Sequence, residues 1–333
     1  MDLTFKKALE DKNREAMDHL LHKNVVLRRS DETLSEGVNE VLDTLINERY
    51  PKIKKLYTYE NITMIEFYNA LAVKLKFRNT LISRLYFDYI DNSVKRLRMD
   101  IAYDGTLYNG FQRQPKKSTI QGAIEKVLGH LTGESITITP SGRTDKGVHA
   151  LKQVVHFDTA SPLPLEKIKT LMNRMLPTDI TINLISEVPR LFHARFDVQR
   201  KIYHYTITHK RDPFQSHYAL YHGPIDIDKF NKTLHLFEGV HDFEGFTKKT
   251  DGAVTLRSVH TCKAVRSENE TVVIVESEGF LRHMVRYMVG TALRDHDKQT
   301  RDVEKALRKP HDSHVYLAPG QGLSLYDVLY TID

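Results

Sequence analysis

Arg98-Met-Asp-Ile-Ala-Tyr-Asp104, closed by Gly105, is the stretch on which the reading of the fold turns. Its apolar positions and the glycine behind it describe a strand that ends in a turn. Ser118 and Gln121 then make a capping box. Ile120, Ile124, Val127, Leu128 and Leu131 follow at the spacing of one buried helix face. Strand, turn and helix recur downstream in varied order. A second helix spans 165–176 and is stopped by Pro177. Strands are expected at 201–208, 254–265 and 271–276, a helix at 280–293 and a last strand at 324–332. With several strands adjacent in sequence, the expected class is α+β, a mixed, largely antiparallel sheet carrying helices. That architecture hosts many activities and names none of them.

Before residue 97 the pattern changes. Leu34, Val38, Val41, Leu42, Leu45 and Ile46 sit at helical spacing. Thr63 and Glu66 form a capping box ahead of Phe67, Leu71 and Leu75, and Leu81, Ile82, Leu85, Tyr86, Tyr89 and Ile90 form a third stripe. The spacing predicts a small all-α domain over residues 1–96, followed by a catalytic domain over 97–333. The clusters Lys52, Lys54, Lys55 and Lys74, Lys76, Arg78 read either as a solvated face or as phosphate contacts.

Hydrophobic residues at 40% and charged residues at 28% exclude a disordered chain. No apolar run reaches the roughly eighteen residues needed to span a bilayer. The charged opening, MDLTFKKALEDKNREAMDHL, lacks the apolar stretch of a secretory signal, so a cytoplasmic protein is expected. The single cysteine, Cys262, can form neither an internal disulfide nor a cysteine metal site, and reads as a packing residue. The net charge of +6 favours a polyanionic partner only if the cations gather around a site.

Three stretches could carry chemistry. In Ser141-Gly-Arg-Thr-Asp-Lys-Gly-Val-His-Ala150, glycines bracket a carboxylate whose neighbours Arg143 and Lys146 are cations. Positive charge nearby favours the ionised form that a nucleophile or base requires, although the same pattern also suits a plain surface turn. In Arg200-Lys-Ile-Tyr-His-Tyr205, alternation puts Tyr203 and Tyr205 on one strand face, where they either stack on an unpaired base or fill a half-buried surface. In Gly279-Phe-Leu-Arg-His-Met-Val-Arg-Tyr-Met-Val-Gly290, Arg282 and Arg286 lie four apart along the margin of an apolar stripe. A half-buried arginine there needs a partner, such as Asp145, a phosphate or a structural carboxylate. Elsewhere the signals are weaker. His311-x-x-His314 has no third metal ligand placed near it, and Gly320-Gln-Gly322 lacks the context of a nucleotide fingerprint.

Taken together these stretches fall in a familiar order. Ala102-Tyr-Asp-Gly-Thr-Leu-Tyr-Asn-Gly-Phe-Gln112, Thr119-Ile-Gln-Gly122, Gly142-Arg-Thr-Asp-Lys-Gly-Val-His149 and Asn173-Arg-Met-Leu-Pro177 come first. Phe192-His-Ala-Arg-Phe196, Arg200–Tyr205, Gly239-Val-His-Asp-Phe243, Gly279–Gly290 and Ala318-Pro-Gly-Gln-Gly-Leu323 complete the series. From about residue 97 onward the chain resembles the tRNA pseudouridine synthase A family, which isomerises uridines at positions 38 to 40 of the anticodon arm. The likeness implies a central basic cleft with Asp145 as the nucleophilic aspartate. It implies Tyr203 packed against the target base, Arg143 helping to extrude that base, Arg286 paired with the aspartate and Leu323 lining the pocket. It further implies tRNA as partner, a homodimer, and neither a metal nor an organic cofactor. Two segments depart from the family pattern: the N-terminal extension, and the stretch from Thr291 through His311-Asp-Ser-His314.

Overall fold

The computed structural model describes residues 21–29, 32–36, 53–59, 62–67, 71–78, 81–89, 93–248, 254–296, 301–308 and 314–330. Its first part differs from the expected helices. Six strands are formed there: β1 (Leu21–Arg29), β2 (Glu32–Glu36), β3 (Ile53–Tyr59), β4 (Ile62–Phe67), β5 (Leu71–Arg78) and β6 (Leu81–Tyr89). They make one sheet in the order β2-β1-β6-β5-β4-β3, in which β1 and β6 run parallel and the other pairs antiparallel. The all-α expectation is therefore corrected wherever the chain is described. The reason is period. Leu71, Val73, Leu75 and Phe77 alternate with Ala72, Lys74, Lys76 and Arg78, which is a strand pattern. The register sets Val73 opposite Phe87 and Leu75 opposite Leu85. The stripe from Leu34 to Ile46 falls mostly outside the described residues.

The second sheet begins with β7 (Lys95–Tyr103), followed by α1 (Ile120–Thr132), β8 (Thr139–Pro140), β9 (His149–Thr159), α2 (Leu165–Met175) and β10 (Ile180–Glu187). Next come β11 (Val198–Thr208), β12 (Leu220–Tyr221), α3 (Ile227–His235), β13 (Gly239–Asp242), β14 (Leu256–Arg266) and β15 (Glu270–Ser277). The chain continues through α4 (Met284–Asp295) and α5 (Arg301–Arg308) to β16 (Leu323–Tyr330). The strand order is β10-β7-β9-β16-β11-β15-β14-β13, with β8 on β9 and β12 on β11. The mixed, largely antiparallel sheet expected from sequence is present.

Each half of this sheet is a βαββαβ unit. The first reads β10-β7-β9-β8 across the sheet and the second β16-β11-β15-β14, the same relative order. They join because β8 is only two residues long. It covers β9 at His156 and Val155, which leaves the start of β9 free. There β16 pairs in parallel, with Ser324 against His149 and Leu325 against Ala150. The loop from β8 into β9, residues 141–148, therefore emerges at the seam between the two units.

Local signals explain most boundaries. Helix α1 starts one residue later than the capping box suggests, because Thr119 is the cap and accepts from the Gly122 N–H at 3.3 Å. It ends at Gly133 in the left-handed conformation. Its residues Ile120, Ile124 and Leu128 join Met99 and Ile101 of β7 and Val155 of β9 in the core. Strand β7 is buried on both faces from Leu97 to Ile101. The two charges this entails, Arg98 and Asp100, answer one another at 2.7 Å. Cys262 is fully buried in β14, as a packing residue would be.

Candidate active site

The loop at the seam is gripped from both sides of its carboxylate. Ser141 N–H donates to Val154 O at 2.8 Å, and Gln153 Nε2 donates to Gly142 O at 2.8 Å. Thr144 shares a hydrogen bond of 2.9 Å with the buried Tyr103 hydroxyl, and its carbonyl accepts from Phe111 N–H at 3.0 Å. Beyond Asp145, the Val148 N–H returns to the Asp145 carbonyl at 3.2 Å. Gly147 supplies the positive φ of +74° that this turn requires. With its flanks fixed, the backbone leaves the Asp145 side chain projecting, 26% exposed.

Helix α4 delivers the partners of that carboxylate. It starts at Met284, four residues later than its apolar run suggests, because His283 takes a left-handed φ of +64°. Arg282 consequently lies outside the helix and exposed, and does not share a helical margin with Arg286. His283 Nε2 reaches Asp145 Oδ1 at 3.2 Å. Arg286, in the first turn, reaches Asp145 Oδ2 through Nη1 at 3.2 Å and donates through Nε to Ala318 O at 2.8 Å. Ala318 N–H donates in turn to Arg286 O at 3.1 Å. The carboxylate is thus held on both oxygens at a helix N-terminus, where the backbone dipole also favours negative charge.

Burial pushes His283 below its ordinary value; Asp145 pulls it back up, while Arg286, Arg282 and Lys248 add to the depression. Its Nδ1 is buried and has no hydrogen-bond partner among the described residues.

The aromatic component comes from β11. Tyr203 is buried and meets the ring of Phe280 edge-on at 5.2 Å. Burial holds its hydroxyl far above the ordinary range, and the proximity of Tyr103 and Asp145 adds to this, so Tyr203 is a neutral phenol. Tyr205 donates to Pro319 O at 2.9 Å. Leu323 is buried at the head of β16, in register with Tyr205.

The expected residues are therefore distributed as follows. Asp145, Arg286 and Tyr203 converge. Arg143 and Lys146 are exposed, and the side chains that touch the carboxylate are instead those of Arg286 and His283. Leu323 lies one strand from Tyr203 and buried. His283 and Phe280 lie within a quoted motif, but spacing gives them no role; a positive φ at a histidine leaves no trace in sequence. Among the described residues no cluster of three or more metal-ligating side chains occurs, and no helix is long and apolar enough to cross a membrane. His311 of the His311-x-x-His314 pair lies outside the described residues.

A family model described as tRNA pseudouridine synthase matches residues 100–197 and 234–331. A protein of Brevibacillus brevis named tRNA pseudouridine synthase A is 40% identical over 252 residues, covering 71% of this chain and all of its own. Proteins of the same name from Anoxybacillus flavithermus and Maridesulfovibrio salexigens are 36% and 37% identical, again over 71% of this chain and 99% and 91% of theirs.

Proposed function

Because the chain belongs to the tRNA pseudouridine synthase family, we propose that it isomerises uridine to pseudouridine at positions 38 to 40 of the tRNA anticodon arm, with Asp145 as the reacting carboxylate. Residues 97–333 carry the activity, and the protein works in the cytoplasm as a homodimer. The observation that carries this reading is the Asp145 side chain: partly open, held on each oxygen by Arg286 and His283, and close enough to raise the Tyr203 hydroxyl.

The target base must first leave its stack, since neither of its faces is reachable inside a helix. Arg143, exposed on the same loop, suits the space the base vacates, and the exposed Lys146, Lys248 and Arg282 supply the basic surroundings for phosphates. Isomerisation then breaks the bond from ribose C1′ to N1, turns the ring and joins C1′ to C5. The C5 hydrogen leaves as a proton and N1 gains one, so substrate and product are isomers and no electrons are exchanged. An ionised Asp145 can add to the ring, attack the sugar or take a sugar proton; all three use the same oxygens. Tyr203, neutral and braced on Phe280, gives the detached base a surface to lie against.

The test is tritium release from a tRNA transcript carrying 5-tritiated uridine. Asp145→Asn keeps the shape of the side chain and removes its charge. It is expected to reduce release to background while tRNA binding and the thermal melt stay near those of the unaltered protein. Normal turnover in that variant would defeat the reading.

A further inference from the structure

The loop that presents Asp145 rests on a buried ammonium group that the chemistry above does not use. Lys201 lies on β11 two residues before Tyr203, so both point to the same face of the strand. It is only 9% exposed, and its Nζ donates to the backbone carbonyl of Ser141 at 2.6 Å. The next carbonyl, that of Gly142, is the one held by Gln153, and the Ser141 hydroxyl donates to Gln153 Oε1 at 2.6 Å. A β-carbon on Gly142 would come within 3.2 Å of Lys201 Nζ, so the ammonium fills the space beneath that glycine.

Among the described residues no carboxylate pairs with this cation. Arg195, from the segment between β10 and β11, acts on it with a like charge. Its strand neighbours in register are Ser277 on β15 and Val328 on β16, neither of them charged. The adjacent acids are engaged elsewhere, Glu276 by Arg200 at 2.6 Å and Asp327 by Lys152 at 2.9 Å. A buried cation without a counter-charge is costly. A site that needed only filling would take a methionine.

We propose that Lys201 is a positioning residue for the isomerisation: its ammonium pins the Ser141 carbonyl and thereby fixes the loop that sets Asp145 beside Tyr203. The inference rests on Asp145 being the reacting carboxylate. Burial, with the charge of Arg195 adding to it, brings the Lys201 pKa down to about 8. The charge-assisted bond therefore weakens within a range that an enzyme assay reaches. The neutral amine still donates, but less strongly.

Single-turnover tritium release, followed from roughly pH 6 to pH 9.5 around that pKa, tests this with the full chain, Lys201→Met and Lys201→Arg. The unaltered protein should lose rate as pH rises through about 8. Lys201→Met should bind tRNA normally, react about tenfold to a hundredfold more slowly, and lack that alkaline decline. Lys201→Arg stays charged throughout, so its decline should vanish as well. A methionine variant with the original rate, or one slowed equally at every pH with the alkaline limb intact, overturns the proposal. If the methionine variant does not fold, persistence of the limb in Lys201→Arg overturns it instead. Asp145→Asn, run in parallel, separates the two failures: if it releases tritium normally, the identity of the reacting carboxylate is wrong, whatever Lys201 does.

Discussion

His283 joins backbone strain to the Asp145 carboxylate. A side chain at φ +64° crowds its own carbonyl, at a cost of about 1–2 kcal/mol for most residues, whereas asparagine tolerates the region by local hydrogen bonding. His283→Ala should therefore be about 1 kcal/mol less stable than His283→Asn in urea unfolding, although both variants give up the interaction with Asp145 Oδ1. Equal stabilities would mean that the left-handed turn relaxes at no cost. The pH dependence has a defined sign. Because burial holds His283 below its unfolded value, the unfolded chain binds the extra proton first as pH falls. Stability from keeping the ring neutral is thus complete above about pH 6.5 and is lost as pH falls through that value towards the folded one. Relative to His283→Asn, the unaltered protein should lose urea resistance as pH falls below about 6.5. Sequence foreshadows this site unevenly. A carboxylate between glycines, tyrosines at alternate positions and an arginine on an apolar helix are visible as residue types, and the order of motifs adds their roles. The helix-margin reading offers Asp145 as a partner for Arg286, which it meets, whereas the sequence neighbours Arg143 and Lys146 are exposed in space. His283 arrives only because the helix starts late.

At the scale of elements, α4 and the segment leading into β16 are set by a glycine. A β-carbon on Gly290 would lie 2.1 Å from Tyr316 O and 2.7 Å from Ala318 N, both rigid backbone atoms. Gly290→Ala must push the helix away from the segment whose Ala318 carbonyl holds Arg286. The expected cost is about 1–3 kcal/mol, with a fall in tritium release because the guanidinium moves with the helix. Gly133→Ala is the control: φ is +74° but, among the described residues, nothing lies within 4 Å of the added carbon. It should cost about 1 kcal/mol of strain alone and leave the rate unchanged. Chemical denaturation and the release assay on both variants check the contrast. Elements with one clear period are the legible ones. The stripe of α1 and the alternation in β11 admit a single reading, and their boundaries fall within a few residues of expectation. Leu81 to Ile90 satisfies helical spacing and also, at Leu81, Leu85, Phe87 and Tyr89, the period of two that its strand adopts. What decides between them is pairing with β5 and β1, which no single segment records.

For the molecule as a whole, the Asp145 loop owes its place to the joining of two βαββαβ units at a strand too short to complete the first. That arrangement lies entirely within residues 95–330. The Brevibacillus protein, matched over its full length, corresponds to 71% of this chain, so the six-stranded sheet before β7 is an addition to a unit of enzyme length. Removing residues 1–93, which leaves β7 intact, should therefore preserve tritium release at saturating tRNA. Affinity is a different matter. Strand β5 carries Lys74, Lys76 and Arg78, cations of the kind that neutralise phosphates and release counterions. If they touch the tRNA, the truncated protein binds more weakly, and the slope of log affinity against log salt becomes shallower by about 0.7–0.9 for each phosphate no longer neutralised. We expect that flattening, measured by filter binding over a series of salt concentrations. An unchanged slope with unchanged release would make the added sheet a module whose partner is something other than the tRNA backbone.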